Sequence, residues 1–191
     1  MPRTSAPSWP EQGSWTYEDW LALPDDGFRY EVIDGVLYMS PPHAPPHQVA
    51  AANLYSAMDN VVRTKKLGRL FFASTGVHLP NQPVPLQPDL FFLVSERLDI
   101  IGEKYIEGAP DLIVEILSPS DWLYDRREKM QVYEASGVRE YWIVDYRAQT
   151  VEVYLLEERS YRLLGKWGQG EQAESHLIAG FSIPISEVFE L

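Results

Sequence analysis

The sequence predicts an α/β (α+β) domain that opens with a helix and a β-hairpin. Three observations carry this expectation. The dipeptide Asp34-Gly35 sits between two alternating runs, Phe28 to Ile33 and Val36 to Ser40, a strong hairpin signal. From His47 to about Lys66, apolar residues recur at helical spacing. Later, Asp111 to Leu117 is an apolar run held between Gly108-Ala109-Pro110 and Ser118-Pro119-Ser120, which reads as a buried strand followed by a helix.

The elements follow in order. Residues 1–14 are rich in Pro, Ser and Gly and read as a flexible arm; residues 15–191 read as a single domain. Thr16 with Asp19 three positions on approximates a capping box, predicting a short helix at 16–22. The hairpin at 28–40 ends in Pro41-Pro42-His43-Ala44-Pro45-Pro46, which stops any strand. In the helix from His47, residues His47, Ala51, Leu54, Met58, Val61, Val62 and Lys65 share one side. Strands are expected at 69–74, 76–79 and 87–94, with a mixed loop at 95–108. After the strand at 111–117, a helix from about Asp121 to Ala135 stops at Ser136-Gly137. A strand at 140–145 and a hairpin of 151–156 with 161–167 follow; 173–178 adds a strand and 185–189 a closing turn.

Composition narrows the class. Of 191 residues, 45% are hydrophobic and 23% charged, as in an ordinary globular protein. The absence of cysteine removes disulfides, thiolate–zinc sites and cysteine nucleophiles, and fits a reducing cytoplasm. No apolar run is long enough to span a bilayer, and Met1 to Ser8 lacks the apolar segment of a signal peptide. The net charge of −12 argues against a broad non-specific grip on nucleic acid, while leaving room for a local basic patch.

Glu115 is the anomaly, a carboxylate in the middle of an apolar strand. An isolated buried ion costs several kcal/mol, so it needs a partner or a purpose. Alternation puts Asp111, Ile113, Glu115 and Leu117 on one face. Asp89 opens another apolar strand, in phase with Phe91 and Leu93, and converges on Glu115 if the two strands are neighbours. Two such carboxylates share a proton or hold a cation, and Mg²⁺ suits them, with Mn²⁺ as an alternative. On the following helix, Lys129 lies about 20° from Trp122 and about 40° from Tyr133, near the buried face, where it can supply a positive group.

These residues carry a resemblance. Tyr30-Glu31-Val32-Ile33-Asp34-Gly35, His47, Pro88-Asp89, the run Pro110 to Ser120, Asp125 with Lys129, and Gly137 to Asp145 resemble the Uma-two family. These are endonucleases of the restriction-endonuclease-like, PD-(D/E)xK superfamily. The resemblance implies a restriction-endonuclease-like central mixed β-sheet flanked by helices and a Mg²⁺-dependent phosphodiesterase site. It assigns Asp89 and Glu115 as metal ligands, Glu31 as the earlier acidic residue and Lys129 as the basic one. The superfamily's lysine position, two beyond the acid, is Leu117 here. Pro110-Asp111 is a second PD pair and a rival to Asp89.

Other readings stay open at this point. Glu115 could be paired for structure, Asp89 could be a turn residue, Glu31 an exposed hairpin charge, Lys129 a snorkelling surface lysine, and His47 a core histidine. In function, the expectation is an endonuclease acting on nucleic acid, DNA first, with a homodimer favoured if both strands of a duplex are cut. The alternative is a catalytically silent nuclease-fold binding module. A two-carboxylate glycoside hydrolase is weaker, because it leaves Lys129 without a task.

Overall fold

The computed structural model describes residues 9–118 and 125–191, with the side chains of Asp125 and Arg126 left aside. Thr16 caps the first helix (α1, Tyr17–Leu21) through the reciprocal bonds of a capping box with Asp19. Strands β1 (Arg29–Ile33) and β2 (Val36–Ser40) form an antiparallel pair. Asp34 and Gly35 both take positive φ, 49° and 75°, as a two-residue turn matched to strand twist requires. The long helix α2 runs from Pro45 to Lys65 with two prolines in its first turn, where no backbone N–H is needed. The prolines that end the hairpin therefore also start the helix.

The central sheet has six strands. They are β3 (Gly68–Phe72), β5 (Leu90–Val94), β7 (Leu112–Ile116), β8 (Glu140–Asp145), β9 (Thr150–Glu157) and β10 (Ser160–Trp167), in the order β10-β9-β8-β7-β5-β3. Only β7 and β8 run parallel; the other neighbours are antiparallel, so the sheet is mixed. Gly68 is held to glycine at the edge, since a Cβ there would stand 1.9 Å from the Leu93 carbonyl oxygen. Short pairs lie outside this sheet: β4 (Val77–His78) with β6 (Ile106–Glu107), and β11 (Gln172–Glu174) with β12 (Ser182–Pro184).

Alternation along the strands fills two cores. Leu112, Val114 and Ile116 face α2, where Ala50, Leu54, Met58 and Val62 are buried, and the C-terminal segment with Phe181 and Val188. Each Leu or Met buried in this way contributes roughly 1.5–3 kcal/mol of transfer free energy. Ile113 and Leu117 face the opposite core with Phe91, Tyr133, Tyr141 and Ile143. That second face is covered by the helix α3 (Met130–Ser136), preceded by a π turn at Asp125–Lys129, and by Ile33 of the hairpin. Among the described residues, no helix is long and apolar enough to cross a membrane.

Several expectations need correction. The buried face of α2 includes Ala50 as well, with Ala51 and Val61 packed only partly buried against the core, and Lys65 is exposed. The expected strand at 173–178 is three residues, 172–174, and pairs with an unforeseen strand at 182–184. Residues 185–189 form a short helix (α4, Ile185–Phe189), not a turn. Both errors come from segments too short for a period to register. The expected helix start at Asp121, the positions Trp122 and Leu123, and residues 1–8 of the arm lie outside the described residues.

Candidate active site

The strands β5 and β7 are adjacent, and their paired register ends at Leu90 opposite Val114. One step further, Asp89 takes over the ladder with its side chain, Oδ2 accepting from the Ile116 N–H at 2.8 Å. Asp89 is thereby fixed beside Glu115, the next residue of β7. The two are 4% and 1% exposed. The neighbour relation that the convergence of Asp89 and Glu115 required is present.

Glu31 arrives from outside the sheet. The β1–β2 hairpin clamps the chain just before Asp89: Glu31 Oε1 accepts from the Gln87 N–H at 3.1 Å, and Arg29 donates to the Gln87 carbonyl at 3.4 Å. Glu31 is 2% exposed, so it is not a solvent-facing hairpin charge. Arg29 stands 3.6 Å from both Glu31 and Asp89.

Lys129 lies fully buried between two carboxylates, its Nζ 3.1 Å from Glu31 Oε2 and 3.0 Å from Glu115 Oε1. It is no snorkelling surface lysine. Four residues on, Tyr133 donates to the same Glu115 oxygen at 2.6 Å, as i, i+4 spacing on one helical face allows. Asp89, Arg29, Glu31, Lys129 and Glu115 thus form one chain of alternating charge. Three carboxylates meet two cations, which leaves one negative charge uncompensated when all are ionised.

The environment splits the carboxylates. Burial pushes Glu115 up, to about 7; Lys129 opposes this, and repulsion from Asp89 and Glu31 adds to it. Burial also acts on Asp89, but His47, Arg29 and Lys129 outweigh it and hold that carboxyl down at about 2. Glu31 likewise stays below its ordinary value, its burial offset by Arg29, Lys129 and the Gln87 N–H. Burial and the neighbouring carboxylates raise the Tyr133 hydroxyl well above its usual range, so it remains a donor.

One atom stands out. Glu115 Oε2 is buried and has no hydrogen-bond partner among the described residues. A carboxylate oxygen without a partner is what a hard cation takes as a ligand, and Asp89 stands opposite Glu115 on the neighbouring strand. The donor set fits a divalent ion. Asp111 does not compete, being four residues away at the other end of β7, about 13 Å along the strand. Its oxygens are taken by the Val94 N–H, Arg97 and Arg139. Arg139 has a half-exposed side chain and binds Asp111. Leu117, at the superfamily's lysine position, is packed in the core.

Two residues escaped the sequence reading. Arg29 is one, a residue that the sequence places only on the same strand face as Glu31. His43 stacks on His47 with ring centroids 3.8 Å apart, and its Nε2 lies 3.6 Å from Asp89 Oδ1. Burial lowers His43 to about 4, with Asp89 opposing and His47, Arg29 and Lys129 adding to the fall. The signal was the i, i+4 spacing of His43 and His47, hidden by prolines that read as a break.

A cleft leads to this cluster. One part, about 610 Å³, lies between the hairpin and the chain at Ala73-Ser74, with Trp20, Phe28, Arg29 and His43 in its wall. The adjoining part, about 350 Å³, is lined by His43, His47, Tyr55, Phe72 and Asp89.

Residues 17–186 match the model of the Uma2 family, whose description is "Putative restriction endonuclease". No curated protein matches the chain. Among solved structures, the chain is similar to a putative nuclease belonging to DUF820 from Anabaena variabilis ATCC 29413, at 20% identity and a TM-score of 0.73. The match covers 91% of this chain and 97% of that one, and it shows a shared fold.

Proposed function

The chain belongs to the Uma2 family, and on that footing we propose that it is a divalent-cation-dependent endonuclease that hydrolyses phosphodiester bonds, with DNA as substrate. The bare, buried Glu115 Oε2 beside Asp89 is the observation that carries this reading. Asp89 and Glu115 would hold the cation, Mg²⁺ or Mn²⁺. When bound, such an ion neutralises phosphate charge and makes water a better nucleophile.

The remaining work falls to the protein's own groups. The Ile116 N–H and the ladder position fix Asp89 through Oδ2, so that Oδ1 is turned toward Arg29 and His43 at the cleft. Tyr133 and Lys129 occupy Glu115 Oε1 and leave Oε2 for a ligand. Lys129 holds its proton at Nζ between two carboxylates, where it orients water or stabilises charge developing on the phosphate. Glu31 anchors that ammonium and ties the hairpin to the chain before Asp89. A two-fold homodimer in the cytoplasm completes the proposal for duplex cleavage.

The net charge of −12 favours one rival, a catalytically silent nuclease-fold module that meets nucleic acid or a protein partner. Plasmid and single-stranded DNA incubated with Mg²⁺ or Mn²⁺ separate the two. The nuclease reading expects metal-dependent cleavage that Glu115→Gln abolishes; cleavage unchanged in that variant overturns it.

A further inference from the structure

We propose that His43, His47 and Asp89 form a second cation site, of mixed imidazole and carboxylate character, for a first-row transition metal of the Zn²⁺ class. It rests on the reading of Asp89 as a metal-facing carboxylate, but not on cleavage. The ligand atoms of these three residues all lie within 4.8 Å of one another. His47 Nε2 is 3.2 Å from Asp89 Oδ2, and His43 Nε2 is 3.6 Å from Oδ1. The two rings reach one carboxylate from the same side, stacked at 12° to each other.

The second observation is the state of His47. Its side chain is 2% exposed, yet neither ring nitrogen has a hydrogen-bond partner among the described residues, and Nδ1 of His43 is also without one. His47 Nε2 faces Asp89 Oδ2 at 3.2 Å, the gap that a bound cation would bridge. A Lewis acid bound between the rings and Asp89 would give that imidazole a partner. Two imidazoles and one carboxylate, with room beside them in the cleft, match the open three-ligand sites that zinc and its neighbours occupy. Mg²⁺ prefers oxygen and fits the Glu115 side of Asp89 better.

The architecture explains how two histidines meet there. His43 precedes the helix α2 and His47 lies in its first turn, the Pro45-Pro46 pair setting the angle between them. Asp89, held by the Ile116 N–H, stands where the sheet meets that turn. Arg29 also approaches Asp89 Oδ1, at 3.6 Å, so an ion enters in competition with a guanidinium.

The test is calorimetry of Zn²⁺ binding to the full chain, purified without a histidine tag, with Co²⁺ absorption as a spectroscopic readout of nitrogen ligation. Binding of Zn²⁺ should weaken about tenfold or more in His43→Ala and in His47→Asn. It should persist in Glu115→Gln. His43 is only partly enclosed, so its variant keeps the test valid should the His47 variant fail to fold. Zn²⁺ affinity unchanged in His43→Ala, absence of binding to the wild type, or equal loss in Glu115→Gln overturns the second site. Absence of Mg²⁺-dependent cleavage by the wild type, with Zn²⁺ bound as expected, would instead count against the nuclease reading alone.

Discussion

The two ends of strand β7 each carry a buried carboxylate on the same face, and they are built for opposite ends. At one end, Asp111 accepts from a backbone N–H and from two arginines, leaving neither oxygen bare. Its arginine partners are 38% and 52% exposed in their side chains, so their charge is shared with water. At the other end, Glu115 gives one oxygen to both Lys129 and Tyr133, and its other oxygen is buried without a partner among the described residues. A saturated carboxylate holds strands and loops together. An unsaturated one, kept in place at a cost in desolvation, is a binding group in waiting.

Substitutions can break or sharpen that contrast, and the largest effect should come from Lys129→Met. It leaves Glu31 and Glu115 buried without their shared cation, which costs about 3–5 kcal/mol of stability in denaturant titration. Cleavage should vanish as well. A second change, Glu31→Gln, should recover part of the stability by removing one of the stranded charges, and the pair should be strongly non-additive. Additive effects would mean that the three groups do not act as a network.

Glu115→Gln comes next. Burial already drives this carboxyl toward its neutral form, so the amide should change stability by less than about 1 kcal/mol. Cleavage should nevertheless fall by a factor on the order of a hundred to a thousand. Asp111→Asn should do the reverse: a stability loss of about 1–3 kcal/mol with the rate per folded molecule unchanged. Equal effects of the two substitutions on both readouts would erase the distinction between the strand ends. The smallest effect is expected of Tyr133→Phe, which removes one hydrogen bond to Glu115 and should lower stability by about 1 kcal/mol.

Much of this arrangement was legible in the sequence. The Asp34-Gly35 turn, the period of α2 and the apolar run around Glu115 are local signals, and the elements formed where those signals lay. Alternation gave Glu115 its face, and helical spacing brought Lys129 and Tyr133 to the same oxygen. What separates Asp111 from Glu115 was not legible, since both sit on one strand and one face. Only their tertiary partners differ: Arg97 and Arg139 at one end, a lysine shared with Glu31 at the other. Arg29 and His43 were missed for the same reason, because their roles depend on where the hairpin and the first turn of α2 fold against Asp89.

The most direct measurement is calorimetric titration of Mg²⁺ into the wild type, Glu115→Gln and Asp111→Asn. Binding is expected in the wild type, with loss in the Glu115 variant and retention in the Asp111 variant. Mg²⁺ binding that survives Glu115→Gln unchanged would contradict it.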